Sequence, residues 1–317
     1  MVNLTINGKK IKAQKDETIL QVARDHNIRI PTLCSNDGVK PYGACRLCVV
    51  EINNGGMVSL ESSCTYPAAE GLEIKTDSSD VIKARKTVLE LLLARCPNVK
   101  IVNDLALEYG VEKPGDHLSI ENDYCILCGL CVRACDEVVD AGAIGFSGNG
   151  KNKQVTAPFG LEAENCIGCG SCSFVCPTGI IKVRDVDNAT ENMPAGEVEI
   201  GPERTIDNWN RSLKFQVCKD SNNPYAPEFM LEQFKEKMDL PPEFFNISPS
   251  YREYPSVDEQ LCIGCGTCVD ECPIGAITLI ETQDKDVRSN IMTTHCTGCR
   301  TCINYCVRSA IKIPEIA

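Results

Sequence analysis

Two copies of one cysteine spacing occupy the middle of the chain: Cys125-Ile-Leu-Cys128-Gly-Leu-Cys131-Val-Arg-Ala-Cys135 and Cys166-Ile-Gly-Cys169-Gly-Ser-Cys172-Ser-Phe-Val-Cys176. Each copy is C-x2-C-x2-C-x3-C, a spacing that binds [4Fe–4S] clusters and in which the fourth cysteine of each copy ligates the other cluster. This crossing predicts two ligand sets: Cys125, Cys128, Cys131 and Cys176 in one, and Cys166, Cys169, Cys172 and Cys135 in the other. The two copies should therefore lie together, with their clusters side by side.

A second double copy lies near the end of the chain: Cys262-Ile-Gly-Cys265-Gly-Thr-Cys268-Val-Asp-Glu-Cys272 and Cys296-Thr-Gly-Cys299-Arg-Thr-Cys302-Ile-Asn-Tyr-Cys306. The same crossing predicts two more ligand sets: Cys262, Cys265, Cys268 and Cys306, and Cys296, Cys299, Cys302 and Cys272. Residues 119–185 and 256–317 are thus each predicted to form a bacterial-type two-cluster ferredoxin module. The second module is too small to build a large apolar core, so bound clusters are expected to stabilise its fold.

The first 75 residues are predicted to form a different kind of domain. Val2 to Ile6 alternates apolar and polar residues like a strand, and Asn7-Gly8 is a strong signal for a tight hairpin turn. A helix is predicted to open at Asp16-Glu17-Thr18 and to end at Ile30-Pro31-Thr32. Two strands, a helix and then a cysteine-containing loop are the layout of a β-grasp domain. The predicted fold class of the whole chain is α+β.

Four further cysteines follow a C-x10-C-x2-C-x15-C spacing: Cys34, Cys45, Cys48 and Cys64. The segment from Gly43 to Glu51, Gly-Ala-Cys-Arg-Leu-Cys-Val-Val-Glu, resembles the [2Fe–2S] domain of the large iron–sulfur subunit of respiratory complex I and of its hydrogenase relatives. The resemblance implies that these four thiolates, which are soft ligands suited to iron–sulfur centres, bind one [2Fe–2S] cluster. The alternative is a four-cysteine zinc site, but such sites commonly pair two C-x2-C units and only one is present here.

Composition limits the classes of function. Twenty of the 22 cysteines fall into five groups of four, leaving Cys96 and Cys218, and closely spaced C-x2-C pairs suit metal better than structural disulfides. The net charge of −12 argues against nucleic-acid binding and favours docking to a basic patch on a partner protein.

No apolar run approaches the roughly 18 residues of a membrane span, and the first residues lack a signal-peptide pattern. A cytoplasmic protein without a membrane span is expected.

Residues 76–118 depart from the family that the N-terminal segment resembles. Members of that family have a helix here, followed by one His and three Cys that bind an additional [4Fe–4S] cluster. The helix pattern is present from Asp80 to Arg95, but Cys96 stands where the His is expected and the three cysteines are absent. We therefore predict a helical connector without that cluster, in which Cys96 is a buried structural thiol.

Residues 186–255 contain no ligand set. Acidic positions within 187–199 are followed by an amphipathic helix pattern from Phe229 to Met238. Two interpretations stay open: a linker whose helix packs on its own domain, or a strap that lies over a partner subunit. Three single residues are assigned no ligand role: Cys218 as an inert thiol, Trp209 as packing and His295 as a surface residue.

Each predicted metal site has four cysteine ligands, which leaves no open coordination position for a substrate. The chain also lacks a dinucleotide-binding fingerprint, a phosphate-binding loop and a catalytic-triad pattern. Clusters that only transfer electrons are therefore expected, and any flavin (FMN or FAD) is expected on partner subunits alone.

The first 185 residues, including Asn122-Asp123-Tyr124-Cys125, resemble the iron–sulfur subunits of complex I, [FeFe] hydrogenases and NAD-reducing hydrogenases. With the second two-cluster module added, the chain most resembles the iron–sulfur subunit of electron-bifurcating NADH/ferredoxin:NADP transhydrogenases of the Stn type. That resemblance implies three partners: a flavoprotein NADH-oxidising subunit, a second flavin or NADP subunit, and ferredoxin. Two alternatives stay open, namely the electron-transfer subunit of a hydrogenase or formate dehydrogenase diaphorase, and a free-standing polyferredoxin carrier.

Overall fold

The computed structural model describes residues 1–186, 200–238, 242–249, 253–282, 286–293 and 295–313. The chain forms two compact units. The first contains Met1–Cys166, Gly170–Val183 and Ile206–Arg211, and the second contains Ile167–Cys169, Arg184–Thr205 and Ser212–Ala317. Both combine helices and strands, which agrees with the predicted α+β class. Among the described residues, none of the helices has the length and apolar character needed to cross a membrane.

A five-stranded sheet forms the N-terminal domain: β1 (Val2–Ile6), β2 (Lys9–Ala13), β3 (Val49–Asn54), β4 (Met57–Ser62) and β5 (Glu73–Lys75). The strand order is β2-β1-β5-β3-β4, with β1 and β5 parallel. The predicted hairpin between β1 and β2 is present, and Asn7 and Gly8 both take positive φ angles (50° and 80°), as a type I′ turn requires. Alternate residues of β1, Leu4 and Ile6, are buried in the core of this domain.

Helix α1 (Ile19–Asp25) packs in the same core and is shorter than the sequence suggested. Its start is a capping box, in which Thr18 and Gln21 exchange side-chain and backbone hydrogen bonds. The predicted end at Ile30-Pro31-Thr32 is wrong, because Asn27 turns into the left-handed region (φ 57°). The Ile28 N–H then bonds back to the Ala23 carbonyl over 2.8 Å, which closes a Schellman motif.

Helix α2 (Ser79–Arg95) lies where the apolar pattern predicted it, and a further helix, α3 (Lys100–Glu108), follows it. Their buried residues, among them Leu89, Cys96 and Val102, share one core with Cys34 and Cys128. Two of the predicted cluster sites in the first unit therefore pack against a single apolar core.

The first two-cluster module contains four short elements: α4 (Leu130–Arg133), β6 (Gly145–Ser147), β7 (Gln154–Thr156) and α5 (Ser171–Phe174). Strands β6 and β7 pair as an antiparallel hairpin. A π-helical turn over Ala134–Val138 follows α4. Such turns commonly mark functional positions in helices, and this one contains Cys135.

The stretch predicted as a linker with one helix contains a sheet as well. Its strands, in the order β11-β10-β9-β8, are β8 (Val183–Val186), β9 (Ile200–Ile206), β10 (Arg211–Val217) and β11 (Pro224–Pro227). Helix α6 (Glu228–Lys237) occupies the predicted position, and its Leu231 packs against Ala226 and Phe245. The helix thus packs on its own domain. The predicted acidic segment 187–199 lies outside the described residues.

Two small sheets and two short helices form the C-terminal module: β12 (Ser256–Val257), α7 (Thr267–Asp270), β13 (Ile277–Glu281), β14 (Val287–Ile291), α8 (Thr301–Tyr305) and β15 (Ile311–Lys312). β12 pairs with β15 and β13 with β14, both antiparallel. The small core of this module includes Cys268 and Cys302, together with Ile277 and Ile311.

One buried arginine of α2 fixes the loop around Cys48. Arg85 is 2% exposed and donates to the Leu47 carbonyl (3.0 Å), the Val49 carbonyl (2.8 Å) and the Thr76 carbonyl (2.8 Å). Because buried carbonyls without a donor are costly, this side chain ties the end of the cysteine loop to the helix.

We expect Arg85→Met to destabilise the N-terminal domain by about 3 kcal/mol, since several buried carbonyls lose their donor at once. The measurement is the urea midpoint of the anaerobically purified protein, compared with Lys86→Met, which changes an exposed residue of the same helix. Equal midpoints for the two variants would contradict the proposed role of Arg85.

Candidate metal centres

The four N-terminal cysteines predicted to bind one [2Fe–2S] cluster meet in the first unit. All are nearly fully buried, with exposures from 0% to 8%: Cys34, Cys45, Cys48 and Cys64. The Cys45 N–H donates to the Cys34 sulfur over 3.3 Å, and the Cys48 and Cys64 sulfurs are 3.3 Å apart. The structure therefore brings together side chains that are up to 30 residues apart in the sequence.

Because these four sulfurs lie close together, their pKa values differ widely. Hydrogen bonds from the Cys45 and Cys64 thiols lower the pKa of Cys34 to about 2, and a hydrogen bond from the Cys64 thiol lowers the pKa of Cys48 to about 6. The same contacts raise the pKa of Cys45 and Cys64. Thiolates thus share protons with neighbouring thiols. A cationic iron core fits such a set, because metal binding replaces the protons on the ligands.

Four cysteines of the first two-cluster module surround one cavity of about 230 Å³. They are the residues of the first predicted ligand set: Cys125, Cys128, Cys131 and Cys176. Burial, followed by the charges of Cys128 and Cys125, raises the pKa of Cys131 to about 12. The fourth cysteine of the second copy therefore lies with the first three of the first copy, in the crossed arrangement that the spacing predicted.

The size of this cavity fits a multi-atom centre. One water needs only roughly 10–15 Å³ of such space, so a cavity of about 230 Å³ holds several atoms in addition to its lining. Sulfurs spread around a larger cavity suit a [4Fe–4S] core better than a lone zinc ion.

An arginine holds the start of this ligand loop. The Arg95 Nε donates to the Cys125 carbonyl over 2.7 Å, and its two other nitrogens pair with Glu121 and Asp123, each over 2.6 Å. The Asp123 carboxylate in turn accepts the Cys125 N–H over 3.0 Å. This network fixes the first cysteine of the loop at the rim of the cavity.

The four ligand loops share one backbone conformation. In each, the residues directly before and after the second cysteine take positive φ angles of 53° to 83°: Leu127 and Gly129, Gly168 and Gly170, Gly264 and Gly266, and Gly298 and Arg300. Six of these eight positions are glycine, which adopts the left-handed region without strain. A helix of four or five residues follows each loop, so the repeated spacing reflects a repeated structure.

The second predicted ligand set of this module is only partly assembled by the structure. Cys135 and Cys166 are half-buried and Cys172 is buried, and all three pack in one core of the first unit. Cys169 is exposed and belongs to the second unit, so its place in this set stays a prediction from the spacing. The Ala143 N–H donates to the Cys135 sulfur over 3.3 Å.

The C-terminal module contains the last two predicted sets. Cys262 and Cys268 of the third set both contact Ser289: the Ser289 N–H lies 3.5 Å from the Cys262 sulfur, and its hydroxyl lies 3.1 Å from the Cys268 sulfur. Burial, followed by the charges of Cys296 and Cys299, raises the pKa of Cys302 to about 12. Cys265 is exposed.

Two residues that contact ligand cysteines were not identified from the sequence. Ser289 lies in β14, between the two copies of the motif. Trp209, which was predicted to serve packing, is buried and donates its indole N–H to the Cys172 sulfur over 3.5 Å. Neither belongs to a local motif, and the only sequence signal was that Trp209 is the single tryptophan of the chain.

The loop of the N-terminal centre contacts the first copy of the two-cluster motif directly. Arg133, two residues after Cys131, donates to the Cys34 carbonyl over 3.0 Å and to the Lys40 carbonyl. Its guanidinium lies 5.3 Å from the centre of the Tyr42 ring, within cation–π range. The Arg133 Nε is buried and has no hydrogen-bond partner in the described part of the chain. A cationic side chain thus joins two predicted cluster sites.

Cys96 is fully buried at the end of α2, with 0% exposure. Its N–H bonds to the Leu92 carbonyl over 2.7 Å. Burial, followed by the charge of Asp123, raises the pKa of the Cys96 thiol to about 12. At neutral pH this thiol is protonated, as suits a side chain inside an apolar core.

Three family models match segments of the chain, and they define its class. Residues 1–79 match a 2Fe-2S iron-sulfur cluster binding domain, residues 118–183 a 4Fe-4S dicluster domain and residues 255–278 a 4Fe-4S binding domain. These matches confirm the predicted order of a [2Fe–2S] domain followed by [4Fe–4S] domains.

Individual relatives are oxidoreductase subunits. The chain is 34% identical to the NADPH-Fe(3+) oxidoreductase subunit alpha of Geobacter sulfurreducens and 32% identical to the NADP-reducing hydrogenase subunit HndD of Solidesulfovibrio fructosivorans. Both matches cover 57% of this chain, but only 24% and 36% of the relatives. A solved structure of a NAD+-reducing [NiFe]-hydrogenase in the H2-reduced state is 27% identical, with a TM-score of 0.43, and the match covers 49% of this chain and 74% of that chain. The chain thus spans about a quarter to a third of the curated relatives' length.

The raised pKa of Cys96 predicts slow alkylation in the native protein. At pH 8.5 an unfolded thiol is about half ionised, whereas a thiol with a pKa of about 12 contains roughly a thousandfold less thiolate. Because folding raises this pKa, ionisation of Cys96 destabilises the folded protein only when the pH rises above the pKa of the thiol in the unfolded chain. The measurement is iodoacetamide labelling of the Cys96 peptide by mass spectrometry, in native and urea-unfolded samples. Similar labelling rates in the two samples would show that Cys96 is accessible and ionised.

Proposed function

We propose that this chain is an iron–sulfur electron-relay subunit of an NAD(P)H-linked oxidoreductase complex. One [2Fe–2S] cluster is bound by the N-terminal cysteines, and four [4Fe–4S] clusters are bound by the crossed sets of the two modules. The ligands are Cys34, Cys45, Cys48 and Cys64; Cys125, Cys128, Cys131 and Cys176; Cys166, Cys169, Cys172 and Cys135; Cys262, Cys265, Cys268 and Cys306; and Cys296, Cys299, Cys302 and Cys272. Such clusters supply one-electron transfer when bound.

The observation that most supports a relay is the contact between the N-terminal centre and the first two-cluster module. Arg133 bonds to the Cys34 carbonyl from a position next to Cys131, and the Lys40 N–H donates to Glu137 over 2.7 Å. These bonds hold the loop that contains Cys34 in direct contact with the first copy of the two-cluster motif, and, among the residues that the structure describes, no other predicted ligand set lies between them. An electron-transfer chain requires such proximity, whereas independent metal sites do not.

The side chains around the sites support transfer rather than substrate chemistry. The predicted ligands are all cysteines, and the cavity enclosed by Cys125, Cys128, Cys131 and Cys176 is lined further by apolar groups such as Ile126 and Ile181. The Arg133 guanidinium places positive charge at the Cys34 loop, beside centres that gain electrons. Burial and such charges are the means by which a protein sets cluster potentials.

Partners follow from the relatives and from the charge of the chain. Names such as NADPH-Fe(3+) oxidoreductase and NADP-reducing hydrogenase support a complex with a flavoprotein NADH-oxidising subunit. We propose further that it belongs to a cytoplasmic, electron-bifurcating transhydrogenase of the Stn type, with a second flavin or NADP subunit and ferredoxin as the other partners. The net charge of −12 supports docking to basic surfaces.

Purification from the native host under anaerobic conditions tests this proposal. We expect a stable complex that contains FMN or FAD subunits and whose clusters are reduced by NADH or NADPH, while the isolated chain is reduced by dithionite but not by NAD(P)H. A complex with hydrogenase or formate dehydrogenase subunits would favour the diaphorase alternative. A lone chain that reduces many acceptors would favour the polyferredoxin carrier and overturn the relay-subunit proposal.

Metal content gives a second test. Five clusters correspond to about 18 iron atoms per chain, and a further [4Fe–4S] cluster, such as the family's one-His, three-Cys site, would bring about 22. Iron and acid-labile sulfide are to be measured on anaerobically purified protein. Zinc in place of two irons would instead support the zinc alternative at Cys34, Cys45, Cys48 and Cys64.

Substitution of Arg133 tests the contact between the first two centres. Arg133→Met removes the donors to the Cys34 and Lys40 carbonyls, so we expect weaker magnetic coupling between the [2Fe–2S] signal and its reduced neighbour. The measurement is EPR power saturation of the [2Fe–2S] signal in partly and fully reduced samples. Arg29→Met, which removes an exposed ion pair with Glu108, is the matched control. No coupling in the unsubstituted protein would contradict the relay arrangement itself.

A further inference from the structure

Residues Ile206–Arg211 lie outside the segments that the family models match, which are 1–79, 118–183 and 255–278. They belong nevertheless to the first compact unit, although the residues on both sides of them group with the second. The segment Ile206–Arg211, which lies within the predicted linker 186–255, is therefore part of the first two-cluster module. Its contacts indicate what it does there.

Backbone and side-chain contacts fix this segment on the module. The Asn208 Oδ1 accepts the Lys182 N–H over 3.0 Å, and the Trp209 carbonyl accepts the Ala163 N–H over 3.1 Å. The Arg211 Nε donates to the Cys166 carbonyl over 3.2 Å. This last contact repeats the arrangement at the other ligand loop, where Arg95 donates to the carbonyl of the corresponding first cysteine, Cys125.

The Trp209 side chain reaches both predicted ligand sets of the module. It is 4% exposed and shares a core with Cys131 and Cys172. Its ring lines the cavity formed by Cys125, Cys128, Cys131 and Cys176. Its indole N–H donates to the sulfur of Cys172, which belongs to the other set, over 3.5 Å. One side chain therefore touches two adjacent centres.

We propose that Trp209 is a positioning residue that raises the reduction potential of the cluster bound in part by Cys172. A hydrogen bond to a ligand sulfur favours the reduced state, because the added electron increases the negative charge on the sulfurs. The same indole ring fills one wall of the adjacent cavity. The proposal rests on the ligand sets proposed above and adds to them a residue that raises one potential of the pair.

Replacement of the indole N–H alone tests this role. Such a replacement is possible at one position because Trp209 is the only tryptophan in the chain. Growth of a tryptophan auxotroph on 3-benzothienylalanine replaces the indole N–H by sulfur at one position of the whole protein and keeps the ring shape. Trp209→Phe is the second variant. The control is Tyr225→Phe, which removes an aromatic hydroxyl that donates to the Phe245 carbonyl and leaves the cysteines unchanged.

The readout is an EPR-monitored redox titration of the full chain with dithionite and mediators, with iron content measured in parallel. Loss of the N–H should weaken reduction of one [4Fe–4S] cluster about tenfold, a downward shift of about 59 mV for a one-electron couple. The other midpoints and the iron content should stay unchanged in the benzothienylalanine protein. Tyr225→Phe should shift no midpoint.

Two results would overturn the proposal. Unchanged midpoints in the benzothienylalanine protein would show that the N–H does not set a potential. Loss of iron from that protein would show that the N–H is needed for assembly of the centre instead. The titration uses dithionite and mediators and no physiological partner. Its result therefore stays valid even if the chain does not accept electrons from a flavoprotein. Complete absence of [4Fe–4S] signals in the unsubstituted chain would instead contradict the proposed function.

Discussion

Convergence of cysteine sulfurs is the constraint on which the rest of this structure depends: Cys34, Cys45, Cys48 and Cys64 meet in the N-terminal domain, and Cys125, Cys128, Cys131 and Cys176 surround one cavity. Each four-residue or five-residue helix after a ligand loop is too short to be stable alone, and each loop needs left-handed residues on both sides of its second cysteine. Leu127 and Arg300 adopt that conformation without being glycine, which costs roughly 1–2 kcal/mol for each residue. Such strain persists only where the surroundings determine the backbone. Packing around the cysteines, together with glycine at six of the eight left-handed positions, therefore determines the structure of these loops.

Local features of the sequence were sufficient to predict much of the fold. Asn7-Gly8 specified the first hairpin, and the apolar pattern from Asp80 specified α2, because both signals depend on neighbouring residues alone. The end of α1 was missed because it depends on Asn27 taking a left-handed conformation, which Asn tolerates but does not require. The strands within 200–227 were missed although each pairs with its neighbour along the chain. Spacing identified the candidate ligands but not Ser289 or Trp209, because these two residues contact cysteines that lie 21 and 37 positions away in the sequence.

Arginine has a consistent role in this acidic chain. Arg85, Arg95 and Arg211 donate to backbone carbonyls at or beside a predicted ligand cysteine, and Arg133 does so at Cys34. The planar guanidinium has several fixed donors, so one side chain can hold a loop and still keep its charge near the centre. Arg95 also pairs with Glu121 and Asp123, and Arg211 pairs with Glu162, so these two arginines mainly hold the ligand loops in place.

The apolar core between the N-terminal centre and the first two-cluster module gives the charge of Arg133 a strong effect on both predicted sites. That core contains Leu89, Val102 and the protonated Cys96 beside the predicted ligands Cys34 and Cys128, so the side chains between the two sites are apolar. Charges interact more strongly across such a medium than across water, and an electron at one centre would therefore disfavour an electron at the other. A guanidinium bonded to the Cys34 carbonyl beside Cys131 offsets this repulsion at the contact itself.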